Sequence, residues 1–365
     1  MPTWFSRYLL PGLVLQSMLI GGGYGTGREL VEFFLQYGSL GGLLGLLIPT
    51  LIVITVSCMI SFEFARTFRV YDYRSFFERL IGRGWIVYEI SFLAYLILIL
   101  AVIGSAAGNF LLETFGVRYD IGVVGLFLAV AFLVFKGTPT IEKFLAMWSL
   151  VLYAIYIVFF LWSFNEFGDQ IVAVLNTGDV KKGWFNSGVR YASACAGAIP
   201  AMLFATRHIK SRREALWAGL LAGPVSIVPA ILFYFVMMGH YPEIVERPVP
   251  ANYILDILGS RLFQISFQVM LIGTLIETGS GYIHAFNERV ANSLESGGNT
   301  LANWVRPVVA IFLLLVAAIL SRFGIIDLIA KGYVAIAWVF VVVMVLPLIT
   351  IGVFKLHRAS SKLTA

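Results

Sequence analysis

Hydrophobic and polar positions along this chain alternate in long blocks, not residue by residue. Apolar runs of roughly twenty positions, enough for a helix to cross a bilayer, recur near 8–37, 40–66, 85–114, 120–136, 140–164, 186–207, 214–239, 262–290, 302–321 and 325–354. The pattern predicts an all-α integral membrane protein with ten transmembrane helices and a single transmembrane domain. Composition agrees: 59% of residues are apolar, 13% are charged and the mean hydropathy is +0.89, whereas a soluble domain of this length exposes far more charge. The first run follows Arg7 with no small-residue cleavage site, so it reads as a retained span. Cys58 and Cys195 both fall inside apolar runs, where a thiol behaves as a small hydrophobe, and no disulfide framework follows.

The net charge of +6 changes the picture only through its placement. Of the 26 Lys and Arg residues, 17 fall on the side that holds Arg7, the Arg66–Arg83 segment and Lys355, 8 fall on the other side, and Arg28 lies within a span. This asymmetry predicts that both termini are cytoplasmic in a multi-pass protein of the plasma (inner) membrane. Basic residues scattered over short loops give no nucleic-acid surface; the partners they imply are the lipid bilayer and a small-molecule solute. The stretch RTFRVYDYRSFFERLIGR (66–83) interleaves five arginines with Phe76, Phe77, Leu80 and Ile81 and predicts an amphipathic helix along the inner surface. The connections 166–185 and 240–260 are the long external ones, the second carrying Pro248-Val249-Pro250.

Five spans precede the 166–185 connection and five follow it. An odd number per half forces the second half to be inverted relative to the first. The division is 1–165, the connection, 186–356 and a tail at 357–365. Corresponding helices start near 40 and 214, and near 85 and 262, shifts of about 174 and 177. The same displacement carries Gly25 close to Gly197. The first site reads GGGYGTGRE (21–29) and the second ASACAGAIPAM (192–202), so the first helix of each half is predicted to be discontinuous.

Unwinding inside lipid frees amides and carbonyls that cost several kcal/mol each unless something satisfies them. Such breaks therefore line an enclosed or wet cavity. Glycine suits them by tolerating positive φ and by letting a ligand approach the backbone. Candidate solute-binding residues are Gly21, Gly22, Gly23, Tyr24, Gly25, Thr26 and Gly27 in the first break, and Ser193, Cys195, Ala196, Gly197 and Phe204 in the second. Amides near Thr26–Arg28 suit an anion, and carbonyls near Ile20–Gly22 suit Na⁺ or an ammonium group.

Ten helices in two inverted halves of five, broken in the first and sixth, resemble the LeuT-type fold of the amino acid, polyamine and organocation (APC) transporter superfamily. The run GGGYGTGRELVEFFLQYGSLGGLLGLLIP (21–49) is most similar to the YkvI-like membrane proteins of that superfamily. The resemblance implies alternating-access symport of an amino acid or related organic solute, driven by Na⁺ or H⁺. It further implies a cation held between carbonyls of the first break, at Ile20 and Gly22, and hydroxyls of the eighth helix. That helix reads GTLIETGSGYIHAF (273–286), with Thr274 and Thr278 one turn apart beside Glu277. Where relatives often have Asn after the second glycine, this chain has Arg28, whose fixed charge puts a second Na⁺ site in doubt. Glu277 is an intramembrane carboxylate with three open roles: carrying the coupling proton, ligating Na⁺, or neutralising Arg28.

Glu32 stands four residues after Arg28 and is expected to pair with it. Glu29 projects about 100° away and should face another helix. His284 lies near the face of Glu277, as a proton-exit group or a hydrogen-bonded helix contact. Asp327 and Lys331 read as a local pair near the outer gate. Phe204, Tyr24 and Tyr95 are candidate covers for the solute, although aromatics in so apolar a chain are core by default. No hydrolase, zinc or P-loop signature occurs, and Gly25-x-Gly27 alone is no dinucleotide fingerprint. The chain thus reads as a non-enzymatic secondary transporter without a cofactor, Na⁺ being a candidate coupling ion. The alternative is a ligand-sensing membrane receptor subunit on the same fold.

Overall fold

The computed structural model describes residues 4–135, 138–295 and 305–364, and all regular structure among these is helical. Among the described residues, six helices are long and apolar enough to cross a membrane: Ser39–Phe68, Tyr73–Phe115, Met147–Asn176, Arg212–Met238, Arg261–Ala291 and Ile325–Ala359. Three shorter apolar helices, Leu10–Leu19, Tyr119–Phe135 and Val308–Phe323, and the two-piece segment Trp184–Ala196 and Ile199–Thr206 occupy the remaining stretches. The first span is short because its helix stops at Leu19 and resumes only at Arg28–Phe33. Lys136 and the expected start of the ninth span at 302–304 lie outside the described residues.

Helix packing repeats between the halves. The first span packs on the fifth and seventh, and the sixth correspondingly packs on the tenth and second. The fifth meets the eighth as the tenth meets the third, while the second–seventh and third–eighth pairs map onto themselves. Adding five to each position thus returns the same set of contacts, as an internal two-fold requires. The second and seventh spans approach closely because Gly219 and Gly223 stand where a side chain would not fit. A Cβ on Gly219 would lie 2.5 Å from the Cα of Met59, and one on Gly223 would overlap Thr55. Small residues at such crossings let backbones gain dispersion contact where lipid offers no hydrophobic drive. Leu128, Phe132, Phe135 and Ile319 remain exposed on the outer faces, where acyl chains belong.

Two elements differ from expectation. The fifth span continues to Asn176 through one non-helical residue, Phe167 (φ −124°), so much of the expected 166–185 connection is helix. Glu166 and Asp169 mark exit from the apolar layer, but leaving lipid does not end a helix. Ile171, Val174 and Leu175 keep an apolar stripe that packs on the core. The 66–83 segment forms the helix Tyr73–Ile81, capped by Asp72, whose side chain accepts from the Ser75 amide at 2.9 Å. Its buried positions, Tyr73, Phe76, Phe77 and Leu80, follow the i, i+3, i+4, i+7 pattern. They dock on protein: Phe77 stacks on Tyr88 at 3.8 Å and Phe76 meets Phe64 at 5.0 Å.

Candidate functional site

The first break starts where Ile20 leaves helical geometry (φ −80°, ψ 69°). The Gly21 amide, which would have donated to the Ser17 carbonyl four residues back, turns to Leu19 at 2.8 Å. Gly22–Gly25 forms a single turn, and Gly27 sits at φ +88°, a left-handed conformation that glycine adopts without strain. The carbonyl of Thr26 accepts from the Ala251 amide at 3.0 Å, tying the break to the external helix Pro250–Leu258.

The sixth span breaks differently. Its α-helix ends at Ala196, the Ala198 amide bonds back only three residues to Cys195, and a 3₁₀ helix continues over Ile199–Thr206. Pro200 has no amide to return to Ala196, which enforces the change. The Gly197 carbonyl accepts from the Tyr88 hydroxyl at 2.7 Å, and a side chain at Gly197 would overlap Phe340 of the tenth span. Both predicted discontinuities are therefore present, one as an unwound gap and the other as a tightened helix.

Between them lies a small buried cavity of about 10 Å³, room for one water, lined by spans one, three, six, eight and ten. Its wall includes Gly21, Glu29, Tyr95, Tyr191, Cys195, Thr278 and Tyr333. Of the predicted solute-binding residues, Gly21 and Cys195 line it. Tyr24 is buried beside Tyr153 and Tyr156. The Ser193 hydroxyl donates to Val189 in its own helix at 2.7 Å, and Phe204 packs edge-on against His284 at 5.0 Å. Gly25 and Gly27 instead sit under other spans, against Leu271 and against Phe233 and Met237.

Beside the cavity a polar cluster joins the first, fifth and eighth spans. The Thr278 hydroxyl lies 2.8 Å from the Ser17 carbonyl and 3.1 Å from that of Ile20, the two acceptors freed by the break. The Ser17 and Ser149 hydroxyls are 2.9 Å apart, and Ser149 donates to Glu277 Oε1 at 3.3 Å, while Oε2 has no hydrogen-bond partner. Glu277 is fully buried, and among the described residues no cation pairs with it. Thr278 belongs to both cavity and cluster. Thr274 bonds instead to the Met270 carbonyl of its own helix at 2.9 Å.

Arg28 does not reach Glu277. It is held by Glu32 at 3.1 Å, as its spacing suggested, and by the Val245 and Arg247 carbonyls at 2.7 and 3.3 Å. This removes the neutralising role from Glu277 and makes Arg28 a strap on the external loop. Glu29 turns the other way: the hydroxyls of Tyr333 and Tyr191 and the Tyr24 amide face its carboxylate. Asp327 pairs with Lys331 at 2.8 Å on the surface. Ser17, Ser149, Tyr191 and Tyr333 were not singled out from the sequence. Only Ser17 carried a signal, standing one turn before Gly21.

No protein-family model matches the chain, and no characterised protein matches it by sequence. Solved structures do match in shape. MhsT in complex with L-phenylalanine is 16% identical over 95% of this chain and 97% of its own, with TM-score 0.64. A Na⁺-coupled sialic acid symporter, substrate-bound and outward-open, is 13% identical over 90% and 74%, at 0.61. A manganese transporter of Eremococcus coleocola is 13% identical over 94% and 78%, at 0.59. The fold is LeuT-type. The cavity between spans one, three, six, eight and ten and the cluster on spans one, five and eight both combine broken backbone with buried polar groups.

Proposed function

We propose that this chain is a secondary active transporter that moves a small amino-acid-like or related organic solute across the plasma membrane, with both termini cytoplasmic, coupled to Na⁺ or H⁺. The observation that carries this reading is the sharing of Thr278 between a buried cavity at two broken helices and a cluster of oxygens that ends in Glu277. A cation at the cluster would draw the Ser17 and Ile20 carbonyls, the Thr278 hydroxyl and Glu277 together. That fixes the first break against the eighth span, and the same act shapes the cavity wall. Two ligands that order one element bind cooperatively, which is the thermodynamic content of symport. Within the LeuT-type fold, the 21–49 run favours the YkvI-like branch of the APC superfamily.

The Na⁺-coupled symporter and the phenylalanine complex among the structural neighbours support an organic solute. A divalent-metal cargo, as the manganese transporter's name indicates for that protein, is not favoured, because the described residues contain no group of three His, Cys, Asp or Glu able to hold one. The test is uptake and counterflow in proteoliposomes under imposed Na⁺ and pH gradients. Glu277→Gln is expected to uncouple accumulation from the gradient while exchange at equal concentrations persists. A ligand that binds the purified protein but never undergoes counterflow would refute transport and favour a ligand sensor.

A further inference from the structure

At the end of the bundle where Arg7 pairs with Glu214, a groove of about 520 Å³ opens between span two, the start of span seven and the C-terminal helix Val353–Thr364. Its three walls change character in the same direction. On span two, Met59 and Ile60 are followed by Glu63 and Arg66, the last about 10 Å nearer the helix end. On span seven, Leu216 lies one turn further into the span than Arg212, which opens that helix. On the C-terminal helix, Val353 precedes His357 by one turn as the chain leaves span ten. The groove is therefore apolar at its floor and basic at its mouth. Trp217 is exposed beside Leu216, a residue type that anchors at the boundary between lipid and water.

The mouth is short of negative charge. Glu63 is the one carboxylate lining it, and Arg66 already holds that group through Nε and Nη2 at 2.8 and 2.7 Å, while Nη1 has no partner among the described residues. Arg212 makes no ion pair among the described residues. It also stands at the positive end of its helix dipole, which repels a guanidinium and attracts an anion. On the opposite face of the C-terminal helix a second groove, of about 410 Å³, adds Arg79, Lys355 and Arg358 and no acid. A zwitterionic headgroup would bring a further cation into this field, and a free phosphate would leave the apolar floor in water. We propose that the first groove binds an anionic phospholipid of the surrounding leaflet, its phosphate seated between Arg66, Arg212 and His357 and its acyl chains laid over Met59, Ile60 and Leu216. The lipid ties the C-terminal helix to spans two and seven. None of the groove's residues belongs to the broken helices, so the site does not depend on which solute the chain carries.

The test is thermal unfolding of the full-length chain, delipidated in a neutral maltoside detergent and titrated with phosphatidylglycerol, phosphatidylcholine or soluble glycerol 3-phosphate. Native mass spectrometry counts the lipid retained. Phosphatidylglycerol is expected to raise the unfolding temperature saturably and to stay bound as a single molecule per chain, while phosphatidylcholine does so much less and glycerol 3-phosphate not at all. Arg212→Gln is expected to weaken phosphatidylglycerol about fivefold, the share of one basic side chain at an anionic lipid surface, and Arg212→Gln combined with His357→Gln to weaken it further. Both side chains are exposed, so the lipid-free unfolding temperature of these variants should match wild type. Arg213→Gln, an exposed neighbour outside the groove, and Lys182→Gln, at the other end of the bundle, are expected to leave lipid binding unchanged. The proposal is overturned if phosphatidylcholine stabilises as well as phosphatidylglycerol, if glycerol 3-phosphate suffices, or if the folded double variant keeps the full response. It is equally overturned if Arg213→Gln loses as much as Arg212→Gln, because the attraction is then diffuse and the groove plays no part in it.

Discussion

Thr278→Val tests whether the first break and the eighth span form a coupling site. The substitution keeps the side-chain shape and removes one hydroxyl, so the cavity term that complicates large-to-small changes is absent. That hydroxyl is the donor shared by the Ser17 and Ile20 carbonyls, at 2.8 and 3.1 Å. Both acceptors are buried, and the break has already turned the Gly21 amide, the regular partner of Ser17, to Leu19. Since one proton serves two acceptors, the loss is one hydrogen bond plus the desolvation of what remains, about 1–3 kcal/mol. The unfolding temperature should fall by a few degrees. Loss of one oxygen from a site with few oxygens should weaken the coupling ion by a similar free energy, about five- to 150-fold in apparent affinity. The assay is proteoliposome uptake against Na⁺ concentration at fixed pH and against pH at fixed Na⁺, with unfolding measured on the same preparations. A Thr278→Val protein with wild-type dependence on both ions and an unchanged unfolding temperature would refute the assignment.

Arg28→Ala should release the external loop, because it removes an ion pair and two bonds to loop carbonyls; faster hydrogen exchange at 245–251 with little change in the second–seventh span contact would show it. Gly219→Ala should destabilise by about 1–3 kcal/mol, since the added Cβ meets Met59 backbone and cannot be accommodated by a rotamer change; denaturant or thermal unfolding reads this directly. At the start of the seventh span, the Glu214 carboxylate accepts from the Lys210 amide at 2.8 Å and pairs with Arg7 at 3.0 Å, so Glu214→Ala should destabilise the chain by about 1–3 kcal/mol, read by thermal unfolding.

Several features were legible without coordinates because they depend on local chemistry. Twenty-residue apolar runs can only be satisfied as helices in lipid, so the spans were readable, most of their ends to within a few residues. The glycines clustered between 21 and 27 and Pro200 weaken regular helix, and their matched placement in the two halves made the breaks readable too. The Arg28–Glu32 and Asp327–Lys331 pairs follow from four-residue spacing alone. The end of the fifth span was misread because charge marks the edge of the apolar layer, whereas Ile171, Val174 and Leu175 let the helix continue by packing.

What the sequence determined by itself was the membrane class, the inverted halves and the position of the two interruptions, since these rest on periodicity and backbone capability. The tertiary structure alone decided which polar groups meet. Ser149 sits 132 positions from Ser17, and Tyr333 lies on the last span, yet they complete the cluster and the cavity. In an apolar bundle a buried hydroxyl or carboxylate pairs either with its own helix, as Ser193 and Thr274 do, or across helices, as Thr278 and Ser149 do. Which partner it finds depends on the rotation and depth of each helix, and no single helix carries that information.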